Sequence, residues 1–188
     1  MNTLRVISGK AGRLRLITPD GLDVRPTTDR IKETLFNIIS PYLFECDFLD
    51  LFSGSGGIGI EALSRGASNC VFVDNYKESV RCINQNLETT HLKDQAQVLN
   101  ADAVSSVSRL YTSGNRFDII FLDPPYNKEL EKQIIEQLQI YPLLKEDGMI
   151  IVEASSDTDM SYAEKLGFEI VREKKYGSNK HVFLKNIT

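Results

Sequence analysis

Asp123-Pro124-Pro125-Tyr126 has the most pointed chemistry in this 188-residue chain. Two consecutive prolines fix φ and remove two backbone donors, so the loop is rigid and its carbonyls remain as acceptors. Asp123 and the Pro124 carbonyl can present two acceptors side by side. An exocyclic NH2 on a nucleic-acid base presents two donors. Such an amine is a poor nucleophile because its lone pair is delocalised into the ring. Two hydrogen bonds accepted from its protons raise the electron density on nitrogen. Tyr126 can stack on the base, a contact worth about 1–3 kcal/mol. The competing use of Pro-Pro is a rigid turn between a strand and a helix, with an incidental tyrosine.

A second constellation is the run Asp50-Leu51-Phe52-Ser53-Gly54-Ser55-Gly56-Gly57-Ile58-Gly59. Gly54, Gly56 and Gly59 satisfy G-x-G-x-x-G, and Asp74 follows 20 residues after Gly54, as in dinucleotide sites. Electrostatics weighs against a dinucleotide. Its pyrophosphate is received by helix N–H groups, and Asp50 would set a carboxylate beside that anion. S-adenosylmethionine carries an ammonium and a sulfonium instead, and a carboxylate attracts both. Asp74 can accept from ribose hydroxyls under either assignment. Asp102, in Asn100-Ala101-Asp102-Ala103, can accept from an adenine amino group. Each aspartate could instead cap a helix.

These residues need elements to position them, and the hydrophobic pattern supplies an alternation. Strands are predicted at 48–52, 71–74, 97–99, 117–122, 149–152, 168–174 and 181–185, with helices from near Asp29 and at 60–65, 77–88, 103–111, 130–140 and 160–166. Leu4–Ser8 and Arg13–Ile17 suggest a hairpin around Gly9 and Gly12, and 19–26 a loop. Thr27 or Thr28 can cap the first helix, and Pro41 stops it. The alternation predicts an α/β fold: a seven-stranded, mostly parallel, Rossmann-like sheet with helices on both faces. Lys175–Lys180 is too short for a crossover helix, so the last two strands should be antiparallel. Ligands of such sheets bind at the carboxyl ends of the strands, where Asp50, Asp74, Asp102 and Asp123 all fall.

Composition narrows the class. Hydrophobic residues make up 41% and charged residues 26%, the balance of one ordinary globular domain rather than a disordered or fibrous chain. No apolar run reaches the length of a membrane span, and the first twelve residues lack a signal core, so a cytoplasmic protein is expected. Cys46, Cys70 and Cys82 lack C-x-x-C spacing and His91 and His181 are the only histidines, which points away from disulfides and metal. The net charge of −4 is uneven. Residues 1–32 carry +4 and the remainder −8. The positive segment suits phosphate contact, with Arg5, Arg13, Arg15 and Arg30 as candidates and Lys10 more readily a solvated charge. The composition breaks near 40–47, between an N-terminal hairpin-and-helix extension over 1–40 and a body over 41–188, the two expected to form one compact unit.

The glycine loop, the acidic strand ends and Asp123–Tyr126 together resemble S-adenosylmethionine-dependent methyltransferases of exocyclic amines. Longer stretches are more specific. Arg25-Pro26-Thr27-Thr28-Asp29-Arg30, Glu33-Thr34-Leu35-Phe36-Asn37, Phe48 to Gly56, Glu61-Ala62-Leu63-Ser64-Arg65-Gly66-Ala67 and Ile7-Ser8-Gly9 with Gly12-Arg13 resemble the bacterial small-subunit ribosomal RNA guanine-N2 methyltransferases of the RsmD family. Asp-Pro-Pro-Tyr alone is shared with DNA adenine methyltransferases. The 174–180 stretch departs from the pattern.

The resemblance implies methyl transfer from S-adenosyl-L-methionine to the 2-amino group of a guanine in 16S RNA, on an assembling or assembled subunit with ribosomal proteins bound. It implies that Asp50, Phe52, Gly54 and Gly56 hold the methionine end of the cofactor. Asp74 and Asn75 would meet the ribose, and Asp102 with Ala103 the adenine. Asp123, Pro124, Pro125 and Tyr126 would hold the guanine, and Arg25 and Thr27 would lie near the cleft. No metal and no membrane are implied, and a monomer is expected. The alternatives are an adenine-N6 methyltransferase of DNA or RNA, a nicotinamide oxidoreductase, which leaves Asp123–Tyr126 without a task, and a non-catalytic nucleic-acid binder, which leaves the acidic edge without one.

Overall fold

The computed structural model describes residues 4–20, 28–126 and 128–188. Seven strands form one sheet: β1 (Asp47–Leu51), β2 (Asn69–Asp74), β3 (Ala96–Asn100), β4 (Phe117–Leu122), β5 (Leu144–Ser155), β6 (Phe168–Tyr176) and β7 (Asn179–Asn186), in the order β3-β2-β1-β4-β5-β7-β6. Among the described residues five α-helices accompany them: α1 (Asp29–Ile39), α2 (Gly57–Ser64), α3 (Lys77–Thr90), α4 (Ala103–Thr112) and α5 (Leu130–Ile140). The predicted α/β class is the observed one. The chain divides into two compact units, Met1–Ala101 and Asp102–Thr188.

In the first unit β1, β2 and β3 run parallel, with Asp50 beside Phe72 and Asp74 beside Asn100. Their carboxyl ends therefore share one edge. Phe48, Leu49, Leu51, Phe72 and Val73 are fully buried, so β1 and β2 are apolar on both faces, as a covered parallel sheet requires, while β3 at the edge is more exposed. Thr28 caps α1 by accepting from Ile31 N, and α1 buries Leu35, Phe36 and Ile39. The expected N-terminal hairpin is present in reduced form. A bridge pairs Arg5 with Arg15, and Val6 N donates to Leu14 O at 2.9 Å. It docks on the end of α2, where Lys10 N reaches Ser64 O at 2.9 Å. A Cβ on Gly9 would lie 1.9 Å from that oxygen, and φ is +85°, so only glycine fits this turn.

In the second unit β4 and β5 are parallel, β5 and β7 antiparallel, and β6 and β7 antiparallel as the short 175–180 connection demands. Two expectations need adjustment. The strand expected at 149–152 runs from Leu144 to Ser155, because pairing with β4 and β7 extends it past its apolar centre. The helix expected at 160–166 is a 3-10 turn, Ser161–Leu166, closed by Gly167 at φ +89°. In the first unit, α2 begins at Gly57 rather than Ile60, because Gly56 at φ +82° lets the chain enter the helix directly from the loop. Among the described residues no helix is long and apolar enough to cross a membrane.

Candidate active site

The glycine loop is wired from behind. Asp50, near the end of β1, is 1% exposed, and its Oδ2 accepts from Gly59 N at 3.0 Å, so it anchors the first turn of α2. Burial pushes its carboxyl up to about 7; the Gly59 hydrogen bond pulls down and the nearby Asp74 charge adds to the rise. Ser53 Oγ donates to Asp50 O and accepts from Val73 N at 3.0 Å, tying the ends of β1 and β2 together. Phe52 holds φ +59°, a left-handed conformation unusual outside glycine and asparagine, just where the strand turns into the loop.

The glycines divide the work. A Cβ on Gly59 would lie 2.3 Å from the Phe72 ring and 2.7 Å from Cys70 Sγ, so this position lets α2 lie close on β2. A Cβ on Gly54 would meet nothing within 4 Å, so the loop is open to a ligand there. Asp74 closes the other side. Its Oδ2 accepts from Gly54 N and its Oδ1 from Tyr76 N, both at 2.9 Å. A carboxylate has about four acceptor sites, so each oxygen retains capacity for a ribose hydroxyl. Asn75 is exposed beside it. Asn86, on α3, was not found from sequence. It donates to Ser55 O and Ile17 O at 2.9 Å and accepts from Ile17 N, joining loop and N-terminal segment.

The donor set fits S-adenosylmethionine. Carboxylates stand at the ends of two neighbouring parallel strands, one beneath the loop and one beside it, and open space lies over Gly54. In the second unit Asp102 is exposed and caps α4, its Oδ2 accepting from Ser105 N at 2.9 Å, with Ala103 buried behind it.

Asp123 directly follows β4. Pro124 is buried, Pro125 exposed and Tyr126 47% exposed. Pro124, Pro125 and Tyr126 line a small pocket whose other wall includes Glu131, Glu153 and Ser155. Glu153 lies on β5, one residue beyond Val152, which pairs with Leu122. Opposite it on β7 stands His181, whose Nε2 is 3.0 Å from Glu153 Oε2. His181 is buried, with edge contacts to Phe121 and Tyr176 at 6.1 and 5.0 Å between centroids. Burial raises the Tyr176 hydroxyl above its usual range, and the Glu153 charge adds to the rise. The sequence put Glu153 at a strand end within reach of the pocket but gave it no role; its pairing with His181 and the register that makes it were not legible there.

The basic candidates diverge. Arg13, Arg15 and Arg30 are exposed. Arg5 Nε is held by Asp29 Oδ2 at 2.7 Å, and Lys10 Nζ donates to Gln95 Oε1 at 2.8 Å. Arg25, Pro26 and Thr27 lie outside the described residues. A buried cluster stands beneath this segment. Lys32 Nζ donates to Arg5 O and lies 3.4 Å from Glu61 Oε2, and Glu61 also accepts from Ile7 N, Ser8 N and Arg65 Nε. Burial lowers the Lys32 pKa, with Glu61 opposing.

The family model described as conserved hypothetical protein 95 matches residues 4–185. YlbH of Bacillus subtilis (strain 168) is 40% identical over 175 residues, 93% of this chain and 94% of that protein. A Haemophilus influenzae protein named ribosomal RNA small subunit methyltransferase D is 35% identical over 177 residues, 93% of this chain and 89% of its own length. Among solved structures, yhhF from Escherichia coli superposes with a TM-score of 0.84 at 30% identity, covering 98% of each chain.

Proposed function

The chain belongs to the conserved hypothetical protein 95 family, and from that membership we propose that it methylates small-subunit ribosomal RNA at the exocyclic 2-amino group of a guanine. The choice of RNA is supported by the relative named ribosomal RNA small subunit methyltransferase D, aligned over nearly the whole of both chains, and the choice of an exocyclic amine by the acceptors of the Asp123–Tyr126 loop. S-adenosylmethionine is the methyl donor. When bound, it supplies an electrophilic methyl carbon on a cationic sulfur. Asp50, Phe52, Gly54 and Gly56 are assigned to its methionine end, Asp74 and Asn75 to its ribose, and Asp102 with Ala103 to its adenine.

The other residues act on the amine. The guanine leaves its stack to reach them, since an amine inside a helix cannot be aligned for transfer. Asp123 and the Pro124 carbonyl accept from its two protons, Pro125 keeps the loop rigid, and Tyr126 stacks on the ring. Holding the amine in attack geometry can supply up to roughly 7–11 kcal/mol of the barrier. Asp123 need not be a strong base beforehand. The nitrogen becomes acidic as it is methylated, so its proton leaves late, to Asp123 or water. Arg13, Arg15 and Arg30, with Arg5, Arg25 and Thr27, are assigned to the RNA, and ribosomal proteins on a cytoplasmic subunit complete the substrate.

Two measurements test this reading. Calorimetric titration should show S-adenosylhomocysteine binding and NAD failing to bind; the reverse would move the chain to the oxidoreductases. Labelled methyl transfer should be found on undermodified small subunits. Transfer to DNA instead would move it to the adenine methyltransferases.

A further inference from the structure

We propose that Glu153 selects guanine over other purines by accepting the N1–H that adjoins the 2-amino group, and that His181 is its positioning residue. The proposal rests on the reading above and deepens it. Asp123 and the Pro124 carbonyl account for two donors, the protons of an exocyclic amine, and any base with such an amine supplies those. Guanine carries a third donor on the same edge, N1–H, where adenine carries a lone pair. A site that tells them apart needs one more acceptor beside the Pro-Pro-Tyr loop.

Glu153 is that acceptor by position and by chemistry. It shares a pocket with Pro124, Pro125 and Tyr126. Its Oε2 is taken by His181 Nε2 at 3.0 Å, while Oε1 has no hydrogen-bond partner among the described residues. The side chain is 9% exposed, so little water competes for it. His181 is 1% exposed and its Nδ1 has no partner among the described residues, so the hydrogen bond to Glu153 is the polar contact that orients the ring. The Phe121 and Tyr176 contacts hold the ring in place. With Nε2–H donating, the carboxylate rotamer is fixed and its second oxygen is left for the pocket. Glu131 also lines this pocket, but it is half-exposed on α5 and lacks such a support.

A carboxylate facing N1–H gains a charge-assisted hydrogen bond; facing a lone pair it is repelled. The test uses reconstituted small subunits whose target guanine, mapped first with the unaltered protein, is replaced with 2-aminopurine by splinted ligation. That base keeps the 2-amino group and carries a lone pair at N1. The unaltered protein should favour guanine by about tenfold or more in kcat/KM. In Glu153→Gln, which keeps an oxygen for His181 and can turn its NH2 toward the base, that preference should shrink by about tenfold. Equal use of both bases by the unaltered protein would overturn the inference without recourse to any variant. An unchanged preference in Glu153→Gln would overturn it while leaving guanine methylation standing. No transfer to guanine at all would remove the functional reading, and the inference with it.

Discussion

Asp123→Ala should lower methyl transfer by about 10²–10³-fold, the usual cost of losing one preorganised group at a reacting centre. S-adenosylhomocysteine affinity, read by calorimetry, should stay largely intact; near-normal turnover would refute the role assigned to Asp123. Asp50 makes a different prediction. Its folded carboxyl titrates near 7 rather than at the usual 3.8. The native state therefore keeps a proton that the unfolded chain releases between those values. The stability tied to that proton is present at low pH and is lost as pH rises through about 7. Asp50→Asn is neutral throughout and keeps an acceptor for Gly59 N. It should flatten the fall in stability between about pH 4 and about pH 8 by a few kcal/mol, measured by urea unfolding, and weaken S-adenosylmethionine binding. An identical pH profile in the variant would contradict this. The sequence showed that Asp50 sits at a strand end beside glycines. It could not show that the carboxyl lies beneath the loop, because that depends on where Gly59 N points once α2 has packed on β2.

The elements show the same division between pattern and packing. Periodicity placed β4 and α5 at their observed bounds, since Phe117–Leu122 is an unbroken apolar strand and Leu130–Ile140 ends before Pro142. It shortened β5, whose charged start, Lys145 to Asp147, resembles a loop and lies where the pairing with β4 shifts register between Leu144 and Met149. The buried Lys32–Glu61 pair and its partner Arg65 were not legible at all: Lys32 lies on α1, Glu61 on α2 and Arg65 just past the end of α2, and nothing in the spacing marks the charges as inward-facing. Glu61 serves four donors, so Glu61→Gln should cost about 3–5 kcal/mol by leaving the Lys32 ammonium buried without its counter-charge. Lys32→Met leaves Glu61 with Arg65 and two backbone N–H groups, and should cost less, about 1–2 kcal/mol. Urea midpoints of the two variants check the order. Equal losses would mean that the cluster does not hold the hairpin to α1 and α2 as described.

Across the whole chain, charge and chemistry are segregated by sequence position. The protein is net −4, yet residues 1–32 are net +4. Binding to small-subunit RNA should weaken steeply with salt, by a log–log slope near −0.7 to −0.9 for each phosphate engaged, and Arg13→Ala with Arg15→Ala should reduce that slope by roughly one to two. A slope near zero would remove the N-terminal segment from the RNA interface. The fold class and the acidic carboxyl ends were legible because alternation and strand-end position are local properties. The Glu153–His181 pair was not, because it depends on the register of two strands distant in sequence. The central claim is that this chain places one methyl group on the 2-amino nitrogen of guanine. Its most direct test is mass spectrometry of nucleosides from undermodified small subunits incubated with the protein and deuterated-methyl S-adenosylmethionine. The account predicts deuterated N2-methylguanosine from a single position. Deuterium in N6-methyladenosine, or in no nucleoside, would contradict it.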